Sequence, residues 1–80
     1  MDVIGEFSVA QFFHDDFYEY VARFVSAGEA VLLARNCTRS VAAQTGIVNR
    51  VIVTDGGDNT VFEWKRGEGI TFPPQAKGKV

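Results

Sequence analysis

The chain has 80 residues, a length that supports one hydrophobic core and leaves too little material for a second. Hydrophobic residues make up 46% of the sequence, more than disordered chains contain, so it predicts a folded domain. Cys37 is the only cysteine, which excludes an intramolecular disulfide and a thiolate zinc cage. We expect residues 1–74 to form a single domain and residues 75–80 to be a flexible tail.

The N-terminal segment Met1–Glu6 lacks the basic and apolar regions of a signal peptide. The longest apolar run, Ala30–Ala34, is far shorter than the roughly 20 residues that span a bilayer. A small secreted domain would also contain more cysteines. The sequence therefore predicts a cytoplasmic protein with no membrane contact.

A helix is predicted at 9–26. Ser8 would cap it, with Gln11 three residues later, and Gly28 would follow its end. Apolar residues recur at steps of three and four, which is typical of an amphipathic helix. They are Val9, Phe12, Phe13, Phe17, Tyr20, Val21 and Phe24.

The next segments predict a strand and then a short helix. Residues 30–34 are continuously apolar, which favours a buried strand over a second long helix. Residues 38–45 are typical of a short helix that Thr38 or Asn36 would cap and that Gly46 would end.

The C-terminal part predicts a run of strands. Residues 50–54 are rich in β-branched side chains, and residues 60–65 alternate between apolar and charged ones. The intervening residues 55–59 have the composition of a hairpin turn. After a second turn at 67–69, a last short strand at 70–72 would stop at Pro73.

The predicted order is α-β-α-β-β, with one further strand possible, in the α+β class. The strands at 30–34 and 50–54 would be parallel, because a helix connects them. We expect a small mixed sheet of three to four strands, with the helices packed on one face.

Catalysis is not indicated. His14 is the only histidine, and Cys37, which follows the predicted strand, is typical of a small buried residue. Asp55 and Asp58 fit a turn better than a calcium loop, because too few other oxygen ligands are near. We therefore predict a protein that is not an enzyme and uses no cofactor or metal.

The acidic helix surface is the first candidate for binding. Asp16 interrupts the apolar stripe, where it would pair with Arg35, Arg39 or Arg50, or with a basic partner. Tyr18 among acidic neighbours resembles an interface, with a partner protein or with a second copy. The predicted protein-binding residues are Asp15, Asp16, Tyr18 and Glu19. They predict a bacterial protein complex with a basic surface as the partner.

Nucleic-acid binding is the alternative. It would need the basic residues to gather on one surface, with Trp64 or Phe62 as a stacking platform. These residues are Arg35, Arg39, Arg50, Lys65 and Arg66.

Residues 1–34 contain six acids and one base, and residues 35–80 contain four acids and seven bases. Either two differently charged surfaces result, or the halves neutralise each other in the fold.

A resemblance covers residues 50–73. Asp55-Gly56-Gly57-Asp58, Phe62-Glu63-Trp64-Lys65, Gly67-Glu68-Gly69-Ile70 and Phe72-Pro73 are similar to segments of small uncharacterised proteins of bacteriophages and other bacterial mobile elements. This resemblance implies a compact accessory protein encoded by a phage or plasmid. Proteins of that kind often inhibit host defence complexes by occupying a surface, as anti-CRISPR proteins do. The resemblance carries over no site residues. The sequence thus favours a non-enzymatic protein-binding module that inhibits by covering a surface.

Overall fold

The structure is a computed structural model that describes residues 5–73. Its elements in chain order are β1 (Phe7–Phe13), β2 (Tyr18–Val25), α1 (Ala27–Thr38), α2 (Val41–Gln44), β3 (Val48–Thr54), β4 (Thr60–Lys65) and β5 (Gly69–Phe72). The strands form one sheet in the order β2-β1-β3-β4-β5, and each neighbouring pair is antiparallel. The fold is a small α+β domain. The predicted tail at 75–80 lies outside the described residues.

The segment predicted as a helix at 9–26 is instead the hairpin of β1 and β2. Phe12 pairs with Tyr18 across the two strands, and Ala10 pairs with Tyr20. The connecting turn contains Asp16, whose φ of 72° is the left-handed conformation that aspartate tolerates better than most residues. The helix prediction was wrong because aromatic and β-branched residues, which favour strands, also happened to recur at helical spacing.

The predicted strand at 30–34 lies inside α1, so the predicted parallel crossover is also wrong. The helix begins after Ser26, whose side-chain oxygen accepts a hydrogen bond from the Glu29 backbone nitrogen at 3.2 Å. Gly28, expected at a helix end, lies in the first turn of α1 instead. In the run at 30–34, Ala30 and Ala34 are buried against the sheet and Leu33 packs on the core, whereas Val31 and Leu32 are exposed.

The second predicted helix is shorter than expected. Thr38, proposed as its cap, ends α1, and Ser40 caps α2 by accepting a hydrogen bond from the Ala43 backbone nitrogen at 3.1 Å. Gly46 follows α2 with a φ of 89°, as expected for a glycine that stops a helix. The helix therefore exists near its predicted place with different ends.

The predicted strands of the C-terminal part are present as β3, β4 and β5. Asp55 organises the turn between β3 and β4, because its Oδ1 accepts hydrogen bonds from the backbone nitrogens of Gly57 at 2.9 Å and Asn59 at 3.0 Å. These bonds from Asn59 and Gly57 lower the pKa of the Asp55 carboxyl group.

This lowered pKa gives an acid-dependent contribution to stability. The ionised Asp55 is favoured in the folded state, so its contribution is fully present at neutral pH and is lost as the pH falls below about 4. We expect Asp55→Ser to lower the melting temperature more at pH 7 than at pH 3. Thermal melts of both proteins across that range check this. A constant difference between them would contradict it.

The helices cover one face of the sheet, as predicted, and the core lies between the two layers. The buried apolar residues are Val9, Ala30, Ala34, Ala43, Val48, Val51 and Val53. Full burial of a valine contributes roughly 1.5–3 kcal/mol. Because α1 packs mainly against β1, β2 and β3, much of the helix side of β4 and β5 is left uncovered.

The two outer strands of the sheet are irregular or short. β2 has one extra residue relative to β1 between Tyr20 and Ala22, and another between Ala22 and Val25. Phe24 in the second bulge has a φ of 60°, a rare conformation for a bulky residue. At the opposite edge, β5 has only four residues and is followed directly by Pro73.

Candidate binding surfaces

The side of the sheet that faces away from the helices is called the open face here. Successive residues of a strand point to opposite sides, so the neighbours of the buried Val9 and Val51 point away from the helices. The open face is formed by Ala10, Phe12, Tyr18, Tyr20, Arg50, Ile52, Thr54, Thr60, Glu63 and Lys65. It is unusually aromatic for a solvated sheet surface.

Three aromatic rings of the open face contact one another. The centroids of Phe12 and Tyr18 are 5.1 Å apart with planes inclined by 26°, and Tyr20 meets Tyr18 edge-on at 5.8 Å. Such pairs contribute about 0.5–1.5 kcal/mol beyond simple burial. Yet Tyr18 is 55% exposed and Tyr20 is 46% exposed. The rings are fixed in place while much of their surface contacts water.

Two arginines complete this aromatic cluster. The guanidinium carbon of Arg50 lies 4.4 Å from the centroid of Phe12, and that of Arg23 lies 4.3 Å from the centroid of Tyr20. Arg50 also forms an ion pair with Glu63 at 3.6 Å. These contacts restrict both side chains, so a ligand would meet cations that are already positioned.

A shallow depression of about 270 Å³ lies within the open face. Ala10 pairs with Tyr20 on one side and with Ile52 on the other, so a methyl group stands between two large side chains. The difference in side-chain size creates the depression. A protruding side chain of a partner could enter it.

A second concave site, the groove, lies on the helix side, where α1 does not cover β4 and β5. Its volume is about 480 Å³. Its walls and floor are Val31, Ala34, Arg35, Thr38, Arg39, Phe62, Trp64, Gly69 and Ile70. It combines apolar and aromatic surface with two guanidinium groups, and none of the described residues that line it is a carboxylate.

Basic side chains predominate on the open face, and acidic side chains predominate in the turns. Of the described residues, Arg23, Arg50 and Lys65 stand on or over the open face, against the single carboxylate of Glu63. Acidic residues occupy the turns and the start of α1: Asp15, Asp16, Glu29, Asp55, Asp58 and Glu68. A chain with a net charge of −2 thus has locally cationic faces.

The predicted acidic helix surface does not exist, because its residues belong to the hairpin. Asp15 and Asp16 lie in the exposed turn, and Tyr18 stands on the open face. Glu19 points to the helix side, where its Oε2 accepts a hydrogen bond from Gln11 at 2.6 Å. Within residues 5–73, Asp16 forms none of the predicted ion pairs.

The predicted basic residues are divided among three places. Arg35 and Arg39 line the groove together with Phe62 and Trp64. Arg50 pairs with Lys65 on the open face. Arg66 lies beside the end of α2, where it donates a hydrogen bond to the Gln44 carbonyl oxygen at 3.4 Å.

Three residues of the aromatic cluster were missed by the sequence interpretation. Phe12 and Tyr20 belong to the apolar stripe of the predicted helix, and the sequence pattern indicates no role for Arg23. The signal for them was the alternation of Tyr18 and Tyr20 together with the turn-forming Asp15-Asp16 pair, which is typical of a hairpin.

Cys37 and His14 do not form a reactive pair in the described part of the chain. Burial raises the pKa of the Cys37 thiol, and the nearby Glu19 carboxylate raises it further. A thiol with a raised pKa is a poor nucleophile near neutral pH. His14 is exposed, and its backbone nitrogen donates a hydrogen bond to the Ile47 carbonyl oxygen at 3.1 Å.

Residues 5–73 contain no group of three or more histidine, cysteine or acidic side chains arranged to hold a metal ion. No helix in that range has the length and hydropathy needed to cross a membrane. The chain matches no protein-family model, no curated protein and no solved structure. Its two concave surfaces therefore have to be interpreted from their own chemistry.

Proposed function

We propose that the protein acts by binding a partner protein through the open face. The observation that carries this proposal is the exposed cluster of Phe12, Tyr18 and Tyr20 with Arg23 and Arg50 against its rings. Tyrosine and arginine are enriched among the residues that dominate protein–protein binding energy.

The preformed contacts of the cluster favour a protein as the ligand. Binding costs conformational entropy for each side chain that it immobilises, and here Tyr18 and Arg50 are already held by their neighbours. The ring faces of Phe12 are also covered by Tyr18 and Arg50, which leaves little room for a base to stack. The parts of the cluster that a partner protein can contact are the edges of the rings and the hydroxyl groups of the tyrosines.

The partner is expected to present apolar side chains flanked by carboxylates. This differs from the basic partner that the sequence predicted, because the acidic residues of the supposed helix lie mostly outside the open face. When this domain is bound, it would cover part of the partner's surface. Inhibition by occlusion would follow, in agreement with what the phage-protein resemblance implies. Electrostatic attraction of this kind mainly accelerates association.

The test begins with a photoreactive phenylalanine analogue in place of Tyr20. In a bacterial lysate we expect it to form a covalent adduct with a specific protein. The same analogue in place of Val41, which is 76% exposed on α2, is the matched control and should not give that adduct. The captured protein is then purified for direct binding measurements.

Tyr20→Ala is expected to weaken binding of that purified protein by about 2 kcal/mol, as for other central aromatic residues. This corresponds to a roughly 30-fold increase in Kd by titration calorimetry. Val41→Ala should leave Kd unchanged.

Two results would overturn the proposal. One is an equal loss of affinity for both variants. The other is a concentration-dependent increase in the mass of the purified protein that Tyr20→Ala abolishes, because the open face would then bind a second copy.

A further inference from the structure

The floor of the groove presents two aromatic rings that pair with no other ring of residues 5–73. Phe62 and Trp64 are two residues apart on β4, so they point to the same side of the sheet. Both are half-buried at the edge of the core. The ring pairs and cation–ring contacts of residues 5–73 involve Phe12, Tyr18, Tyr20 and Phe24, and neither Phe62 nor Trp64. The exposed parts of Phe62 and Trp64 are therefore available to a planar ligand.

Two arginines stand above these rings on the helix wall. Arg35 is in the last turn of α1 and Arg39 is its C-cap residue, one turn further along. The negative end of the helix dipole favours cations at this position. Within residues 5–73 neither guanidinium has a carboxylate partner, since the ion pair there joins Arg50 and Glu63. Their hydrogen-bond donors are free to bind an anion, and a guanidinium matches the oxygens of a phosphate.

The dimensions of the groove indicate part of a chain as the ligand. Its volume of about 480 Å³ is within the usual range for small-molecule sites. Its walls are open, however, because Val31 and Ile70 are 55% and 41% exposed. An isolated small ligand is normally buried over most of its surface. One unit of a longer chain, extending beyond both ends, suits this open shape better.

We propose that the groove binds one nucleotide unit of a single-stranded nucleic acid. The base lies against Trp64, and the adjacent phosphate lies between Arg35 and Arg39. Stacking on an aromatic residue combined with cationic contacts to the backbone is the general mode of single-strand recognition. This site is on the opposite side of the sheet from the open face, and the inference does not depend on the proposed function.

Trp64 is the only tryptophan of the chain and reports on the site directly. The probes are the decamers of deoxythymidylate and of uridylate, titrated at low salt. We expect saturable quenching of Trp64 fluorescence by at least one of them. The logarithm of the binding constant should fall with the logarithm of the salt concentration with a slope of about −0.7, as for one phosphate neutralised on a single strand.

The double variant Arg35→Ala, Arg39→Ala should weaken binding at least 10-fold, a loss typical of removing charge-assisted hydrogen bonds. Thermal melts of this variant establish that it is folded. Arg23→Ala, which removes a cation from the other side of the sheet, is the matched control and should bind the decamers like the unmodified protein.

Four results would overturn the inference. The first is the absence of saturable quenching by both decamers. The second is an equal loss of affinity for Arg23→Ala. The third is uridine monophosphate binding as tightly as the decamers, which would make the ligand a free nucleotide. The fourth is an octamer of glutamate binding as tightly, which would make it an acidic peptide.

Discussion

Val51→Asp is expected to abolish the folded state. Val51 is in the middle of β3, is fully buried, and has β1 and β4 as hydrogen-bonded neighbours. An aspartate there would bury a carboxylate with no cation beside it. The cost is at least about 4 kcal/mol, which is comparable to the whole stability of a domain of this size. Circular dichroism should show no cooperative thermal transition.

Asn49→Asp is the matched control for that experiment. Asn49 lies in the same strand, and its side chain is exposed. The same carboxylate stays hydrated there, so the stability should change by no more than about 0.5 kcal/mol. A cooperative melt of Val51→Asp within a few degrees of this control would show that β3 is not the centre of the core.

A second pair of substitutions should change stability in opposite directions. A Cβ added at Gly5 would overlap the backbone of Val25 and Ser26, which cannot move without disturbing the end of β2. We expect Gly5→Ala to lower the free energy of unfolding by about 1–3 kcal/mol, as overpacking generally does. Urea denaturation measures the change.

The second substitution of this pair is at Gly28. It lies in the first turn of α1 with nothing within 4 Å of an added Cβ. Gly28→Ala should raise the free energy of unfolding by about 0.5–1 kcal/mol, because alanine is the better helix former. If residues 9–26 formed the helix and Gly28 followed it in a left-handed conformation, Gly28→Ala would be destabilising. The sign of the change therefore distinguishes the two folds.

The C-terminal part of the fold could be predicted because its local signals agree with one another. The β-branched run at 50–54, the turn at Asp55 and the alternation at 60–65 all favour antiparallel strands. Each of these signals acts between residues that are near in sequence, so no knowledge of the tertiary structure was needed.

The N-terminal hairpin could not be predicted in the same way because β1 has large apolar residues on both of its sides. Val9 and Phe13 face the core, while Phe12, Tyr18 and Tyr20 occupy positions on the open face that are usually polar. In β1 the adjacent Phe12 and Phe13 removed the alternation that identifies a strand, so only the short alternation of Tyr18 and Tyr20 in β2 remained as a signal. The feature that concealed the hairpin is the one on which the proposed function depends, in keeping with the tendency of sites to break local sequence rules.

The start of α1 did have a local signal. Ser26 and Glu29 stand at the spacing of a capping box, immediately before the apolar run. The competing prediction of a helix at 9–26 concealed this pattern. It made Ser26 the last residue of that helix, so Ser26 was not considered as the N-cap of a helix that begins at Ala27. Correcting the hairpin would therefore also have corrected α1.

The candidate sites were partly predictable. Arg35, Arg39, Phe62 and Trp64 were named together, and the structure brings them into one groove. Arg50 and Lys65 were assigned to the same surface, yet they lie on the open face. Separating them required the strand order and the register of β3 with β4, which depend on contacts between residues distant in sequence.

The irregular borders of the sheet restrict how any partner can approach. Recognition by strand addition needs a straight, accessible backbone at a sheet edge. The bulges of β2 interrupt its outer row of amide and carbonyl groups, and β5 offers only a few such groups before Pro73, which has no amide hydrogen. Neither border is a good template for another chain, whether a ligand or an aggregating copy. Selectivity must accordingly come from side chains on the two broad surfaces, where single substitutions can alter it.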